Sequence, residues 1–296
     1  PPGSPWSESI WAPELHAISG RWYIYFTAAH PWLGNPSHRP LVLVGPQSSV
    51  PPSTPGWAEE PSLIKGLDPD MWGIDASPLA LDGVVYLVFS AWMPGVEPDT
   101  AQVLWLARLE APDRAAGPGR CIYAPGPEEW EGVPGTGRVV VEGPEWVESP
   151  DGRWRGLVYS GGGSWTPEYA MGALEYVGGD VENPSSWKPC GKILRGGGGV
   201  YGVGHGCFVR TPLGEGEGKE ETVCVFHGTD GATGGWEGRK ARAVRVRWGP
   251  QGPDLGGKCG EPCAVEGFVR GDGRRRSVTE KVEGWGKRIH RFLDEL

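Results

Sequence analysis

At 296 residues the chain is long enough for one large domain with a substantial buried core. A formal net charge of −9 disfavours a nucleic-acid partner, which needs clustered Lys and Arg, and no apolar run approaches the length of a membrane span. Gly (50 residues) and Pro (30) reach a level seen in low-complexity chains, but 16 Trp and 8 Tyr argue against disorder and for a turn-rich β protein.

In chain order, the first legible unit is Trp11-Ala12-Pro13-Glu14-Leu15-His16, followed by a Gly-led turn into an aromatic strand, Gly20-Arg21-Trp22-Tyr23-Ile24-Tyr25-Phe26-Thr27. Three further strand cores repeat this grammar: Gly83-Val84-Val85-Tyr86-Leu87-Val88-Phe89-Ser90, Arg155-Gly156-Leu157-Val158-Tyr159-Ser160 and Thr222-Val223-Cys224-Val225-Phe226-His227. Phe26, Phe89, Tyr159 and Phe226 stand 63, 70 and 67 positions apart, a period that fits four-stranded propeller blades with long loops. A second strand-like run follows each core: Leu41–Val44, Val103–Leu109, Met171–Tyr176 and Ala243–Trp248. Pro/Gly-rich loops such as Pro46–Pro61 and Ala111–Gly137 separate them. Helical periodicity enters only at the end, where Ser277-Val278-Thr279-Glu280 reads as a capping box and Val278, Val282, Trp285, Ile289 and Phe292 fall on one face. The expected organisation is a propeller domain over 1–258 and a tail over 259–296 with an amphipathic helix at about 278–294. Arg274-Arg275-Arg276 reads as a solvated linker before that helix.

Four blocks carry more than strand and turn grammar: the Trp11 block; Met71-Trp72-Gly73-Ile74-Asp75-Ala76-Ser77-Pro78; Val141-Glu142-Gly143-Pro144-Glu145; and Gly202-Val203-Gly204-His205-Gly206-Cys207-Phe208. Singly, each has a structural reading: a turn aspartate, a Glu-Gly-Pro turn, a packed histidine, core tryptophans. Together their order suggests a shared site. Asp75 and Glu142 precede Phe89 and Tyr159 by 14 and 17 residues, and so read as equivalent places on the innermost strands of successive blades. Two carboxyls converging on a channel mouth can differ in protonation, one donating a proton and the other holding it in place. Glycoside hydrolysis uses such an arrangement. Trp11 and Trp72 are candidate stacking planes for a pentose ring. The cysteines are scattered, and Cys259-Gly260-Glu261-Pro262-Cys263 lacks a partner pair at zinc-site spacing, so structural or disulfide roles are expected and no metal site.

The Trp-Ala-Pro-Glu-Leu-His run at 11–16 with Gly20–Phe26 resembles the most recognisable stretch of glycoside hydrolase family 43, a family of five-bladed β-propeller arabinanases, α-L-arabinofuranosidases and β-xylosidases. Trp72-Gly73-Ile74-Asp75, Glu142-Gly143-Pro144, Gly204–Phe208 and Gly235-Trp236-Glu237-Gly238-Arg239 follow in the family's order, over roughly residues 6 to 256. The first and last of these forms are most similar to exo-acting arabinofuranosidases. The resemblance implies an all-β, five-bladed propeller that is incomplete here, four blades being recognisable. It implies Glu142 as general acid, Asp75 as the residue that raises the acid's pKa and orients it, and Arg239 reaching a sugar hydroxyl or pairing with Asp75. It places His205 at the channel floor, where relatives often hold a water or a calcium ion. No cofactor is required, the substrates are arabinan, arabinoxylan or their oligosaccharides, and a secreted monomer is expected. The family inverts the anomeric centre and takes its base from an Asp in a blade ahead of the Trp-Ala-Pro block. Pro1–Ile10 offers only Glu8, so this base is not expected in the chain. Sugar binding without turnover, or an inactive truncated fragment, are the alternatives.

Overall fold

A computed structural model describes residues 5–212 and 220–258. The expected terminal helix, Arg274–Arg276 and the Cys259/Cys263 pair lie outside the described residues.

Four antiparallel sheets follow one another along the chain. The first is β1 (Glu8–Ile18), β2 (Arg21–Ala29), β3 (Arg39–Gln47) and β4 (Ser62–Leu63). The second begins with β5 (Gly73–Leu81), β6 (Val84–Trp92) and β7 (Ala101–Ala111); β8 (Arg114–Ala115) and β9 (Arg120–Tyr123) both pair with β7. After β10 (Gly132–Val133), the third consists of β11 (Arg138–Glu148), β12 (Arg155–Gly161), β13 (Ala170–Tyr176) and β14 (Trp187–Arg195). The fourth contains β15 (Tyr201–Pro212), β16 (Glu220–Thr229) and β17 (Lys240–Arg245). A hairpin of β18 (Arg247–Gly249) and β19 (Gly252–Asp254) leads to β20 (Gly257–Lys258), which adds in parallel to the outer edge of the third sheet. These sheets are the blades expected from the repeat.

The Gly-led turns close the first two hairpins for a backbone reason. Ser19 and Gly20 have φ of 49° and 79°, and Asp82 and Gly83 have 49° and 81°. Both pairs are therefore left-handed two-residue loops, whose twist matches that of the flanking strands. Strand alternation then sends neighbouring side chains to opposite faces. Leu87 and Phe89 of β6 join a core shared with the first blade, which includes Tyr25, Val42 and Ile64. Val88, between them, joins the core shared with the third blade, with Leu104, Leu106, Leu157 and Tyr159. Val158 faces the fourth blade with Met171, Val203 and Phe226. Three interblade cores thus join four blades, and two short parallel pairings (Val139 with Ala101, Val140 with Gln102) stitch the third to the second.

Candidate active site

The innermost strands β1, β5, β11 and β15 each carry the same irregularity. Trp11 pairs with Thr27 and Glu14 with Tyr25, so two residues on the hub strand oppose one on its partner. The same step lies between Ile74 and Ser77, Glu142 and Glu145, and Gly204 and Cys207. It is a β-bulge, which bends a strand and re-aims its side chains. The residue after the bulge's first member is left-handed in all four blades: Ala12 (φ 44°), Asp75 (54°), Gly143 (57°) and His205 (50°). Asp tolerates this region better than most residues, its short polar side chain bonding locally. The register corrects the expected equivalence of Asp75 and Glu142. Ile74 opposes Ser90 and Glu142 opposes Ser160, so Asp75 corresponds to Gly143 and His205, one residue beyond the place of Glu142.

That offset lets the two carboxyls approach from different bulge positions. Asp75 is 3% exposed and its Oδ2 accepts the Gly143 N–H at 2.9 Å, the peptide immediately following Glu142. The His205 Nδ1 lies 3.9 Å from the same oxygen. Burial pushes Asp75 up to about 6, His205 and the Gly143 N–H oppose the rise, and the charges of Glu142 and Glu14 add to it. A Cβ on Gly143 would stand 3.2 Å from the His205 ring, so glycine leaves room for that ring.

Glu142, 9% exposed, is held by both oxygens. Gln102 Nε2 donates to Oε2 at 3.0 Å and also to Ser90 Oγ, while the Tyr169 hydroxyl donates to Oε1 at 2.8 Å. Burial, then the Glu142 charge, raises the Tyr169 phenol well above its ordinary range, so it stays protonated and a donor. Its ring stacks parallel on His227 at 5.7 Å between centroids, and His227 is pushed down to about 3, first by burial and then by Arg239. Gly204 makes room for Tyr169: a Cβ there would fall 1.9 Å from the ring. Ser90 donates to Val141 O and Ser160 Oγ accepts from His205 N, so each clasps the hub strand of the following blade.

Arg239 approaches from the loop between β16 and β17. Its Nη2 donates to Ser164 O at 2.9 Å, and burial lowers its pKa against the opposing influence of Tyr169 and Glu142. Its influence therefore falls on Glu142; among the described residues no ion pair joins it to Asp75. The two tryptophans differ. Trp11 is exposed and stacks one face on His38 at 3.9 Å. Trp72 is buried: one face lies on Trp92 at 4.5 Å and its Nε1 donates to Asn35 O, so its contacts are those of interior packing. Among the described residues no group of three or more His, Cys, Asp or Glu side chains is placed to hold a metal. Gln102 and Tyr169 were not singled out from the sequence. Their signal was faint: a polar residue ahead of the apolar run Val103–Leu106, and an aromatic one closing the Gly-rich loop that precedes β13.

The model of glycosyl hydrolases family 43 matches residues 2–253. Alpha-L-arabinofuranosidase B of Pyricularia oryzae is 30% identical over 225 residues, covering 74% of this chain and 42% of its own length. An extracellular exo-alpha-(1->5)-L-arabinofuranosidase of Streptomyces chartreusis is 30% identical over 222 residues, covering 74% of this chain and 62% of its own. The chain thus spans about half the length of these curated relatives. The crystal structure of an alpha-L-arabinofuranosidase from Lactobacillus brevis superposes with a TM-score of 0.72 at 24% identity, over 87% of this chain and 79% of that one, showing a common fold. The chain belongs to glycosyl hydrolases family 43.

Proposed function

We propose that this chain carries the acid half of an inverting glycosidase acting on α-L-arabinofuranosyl linkages of plant cell-wall polysaccharide, with β-xylosyl linkages the neighbouring possibility within the family. One observation carries the reading: Asp75 of the second blade accepts the N–H of Gly143, the residue next to Glu142 on the third, which brings the two acidic residues together at the hub. Glu142, fixed by Gln102 and Tyr169, is the general acid that protonates the leaving oxygen. Asp75, bonded to the backbone beside Glu142, is the neighbouring carboxyl that positions the acid. Arg239 supplies a cation near the reacting group, Trp11 an exposed aromatic face, and His205 a partner for Asp75. The arabinofuranosidase names of the relatives support arabinan or arabinoxylan side chains as substrates, and the extracellular ones support secretion. Inversion also needs a carboxylate that activates water on the opposite face of the sugar. No described residue is assigned that role.

The test is hydrolysis of 4-nitrophenyl α-L-arabinofuranoside. Glu142→Gln is expected to lower kcat/KM by roughly 10²–10⁴, and unchanged turnover would refute the acid assignment. The competing reading is sugar binding without turnover. Binding of arabino-oligosaccharides by the unaltered protein with no arabinose released would establish it.

A further inference from the structure

We propose that Trp165 and Trp236 form a stacking platform for the sugar unit on the leaving-group side of the scissile bond. The inference rests on the reading of Glu142 as general acid. A general acid protonates the leaving oxygen, so the departing sugar must lie on its side of the site.

The two tryptophans sit on loops that join the second and third strands of the third and fourth blades. Gly161 pairs with Val141 and Thr229 with Tyr201, so both loops emerge at the end of the molecule where β11 and β15 begin, the end that carries Glu142 and His205. Trp236 is 60% exposed, yet it is fixed. Its Nε1 donates to Ser164 Oγ at 3.2 Å, and its ring meets Trp165 edge to face at 6.4 Å and 74°. The Gly235 N–H donates to Trp165 O at 2.6 Å, and a Cβ on Gly234 would fall 2.7 Å from that same oxygen, so the loops cross tightly. Trp165 is backed in turn by the Arg138 guanidinium, 4.9 Å from its ring centre, which Asp99 of the second blade anchors.

Ser164 links this aromatic corner to the acid. Its hydroxyl takes Trp236 and its carbonyl takes Arg239, while Tyr169 at the end of the same loop donates to Glu142 at 2.8 Å. An indole held rigid by two neighbours and left facing water gives little to the fold. A flat apolar face beside guanidinium donors is instead suited to a sugar ring, whose C–H face stacks while its hydroxyls find donors at the edge. The occupant is thus the next pentose of an oligosaccharide.

Binding is measured by calorimetry on a Glu142→Gln background, so that the ligand is not consumed. The probes are arabinotriose, which has leaving-side sugars, and methyl α-L-arabinofuranoside, which has none. Adding Trp236→Ala is expected to weaken arabinotriose by about 10-fold or more, as for truncation of an aromatic anchor, and to leave the methyl glycoside within about 2-fold. Trp236→Phe should retain most of the affinity. Equal binding of arabinotriose with and without Trp236 overturns the platform and leaves the acid assignment standing. Failure of the parent to bind either probe, with no arabinose released by the unaltered protein, overturns the glycosidase reading and the platform together.

Discussion

The two middle blades and the two end blades share one strand grammar but live in different environments. The second and third blades are covered on both faces, because alternate residues of β6 and β12 enter separate cores. Among the described residues, the first and fourth each contribute to one core. On the first blade Leu15, Ile24 and Leu43 lie side by side on the face away from the second, and Leu15 is 46% exposed. On the fourth, Val209 is 48% exposed. Among the described residues no shared core joins the fourth blade to the first. Asp75 and Glu142 both sit on the middle blades. A desolvated carboxyl needs a dry, rigid surround, which blades packed on both sides provide.

Truncation should separate the two environments most sharply. Leu87→Ala, in the core between the first and second blades, is expected to cost about 2–5 kcal/mol, read as a lower denaturant midpoint at unchanged slope. The chemically identical Leu15→Ala on the open face should cost about 0.5 kcal/mol or less. Comparable losses at both sites would mean that the outer face of the first blade is covered in solution.

Asp75→Asn should have a smaller effect on stability, of opposite sign. Asp75 titrates at about 6 in the folded protein, against the ordinary 3.8, so between these values the folded state binds more protons than the unfolded one. Stability therefore falls as pH rises from about 4 through about 6, and the neutral amide escapes that loss. Asn also tolerates the left-handed backbone and can accept the Gly143 N–H. The variant should be more stable than the parent at pH 7, by up to about 3 kcal/mol in denaturant unfolding, with the difference closing near pH 4. A variant less stable at pH 7 would show that the Gly143 N–H and His205 outweigh the cost of burying the charge.

These contrasts mark what could be read in the sequence. The blades were legible because the Gly-led turns and the two-residue alternation of Gly83–Ser90 are local features that backbone sterics enforce. Asp75 and Glu142 were legible as a pair, though not in register, because a bulge re-aims side chains without disturbing the apolar spacing on either side. Gln102 and Tyr169 reach Glu142 across 40 and 27 positions of chain, so their roles arise only when blades pack. Trp72 shows the same limit for aromatics: an indole reads alike as a sugar platform and as a packed side chain, and Trp92 and Asn35 give it the contacts of the second.

The most direct measurement of the central claim is a double-mutant cycle in kcat/KM on an arabinofuranoside. Asp75→Asn, Glu142→Gln and the double variant are compared with the parent. Groups acting as one unit are non-additive, so the double variant should be no slower than the worse single one. Losses that multiply, or single variants that turn over like the parent, would mean the two carboxyls do not work together at the hub.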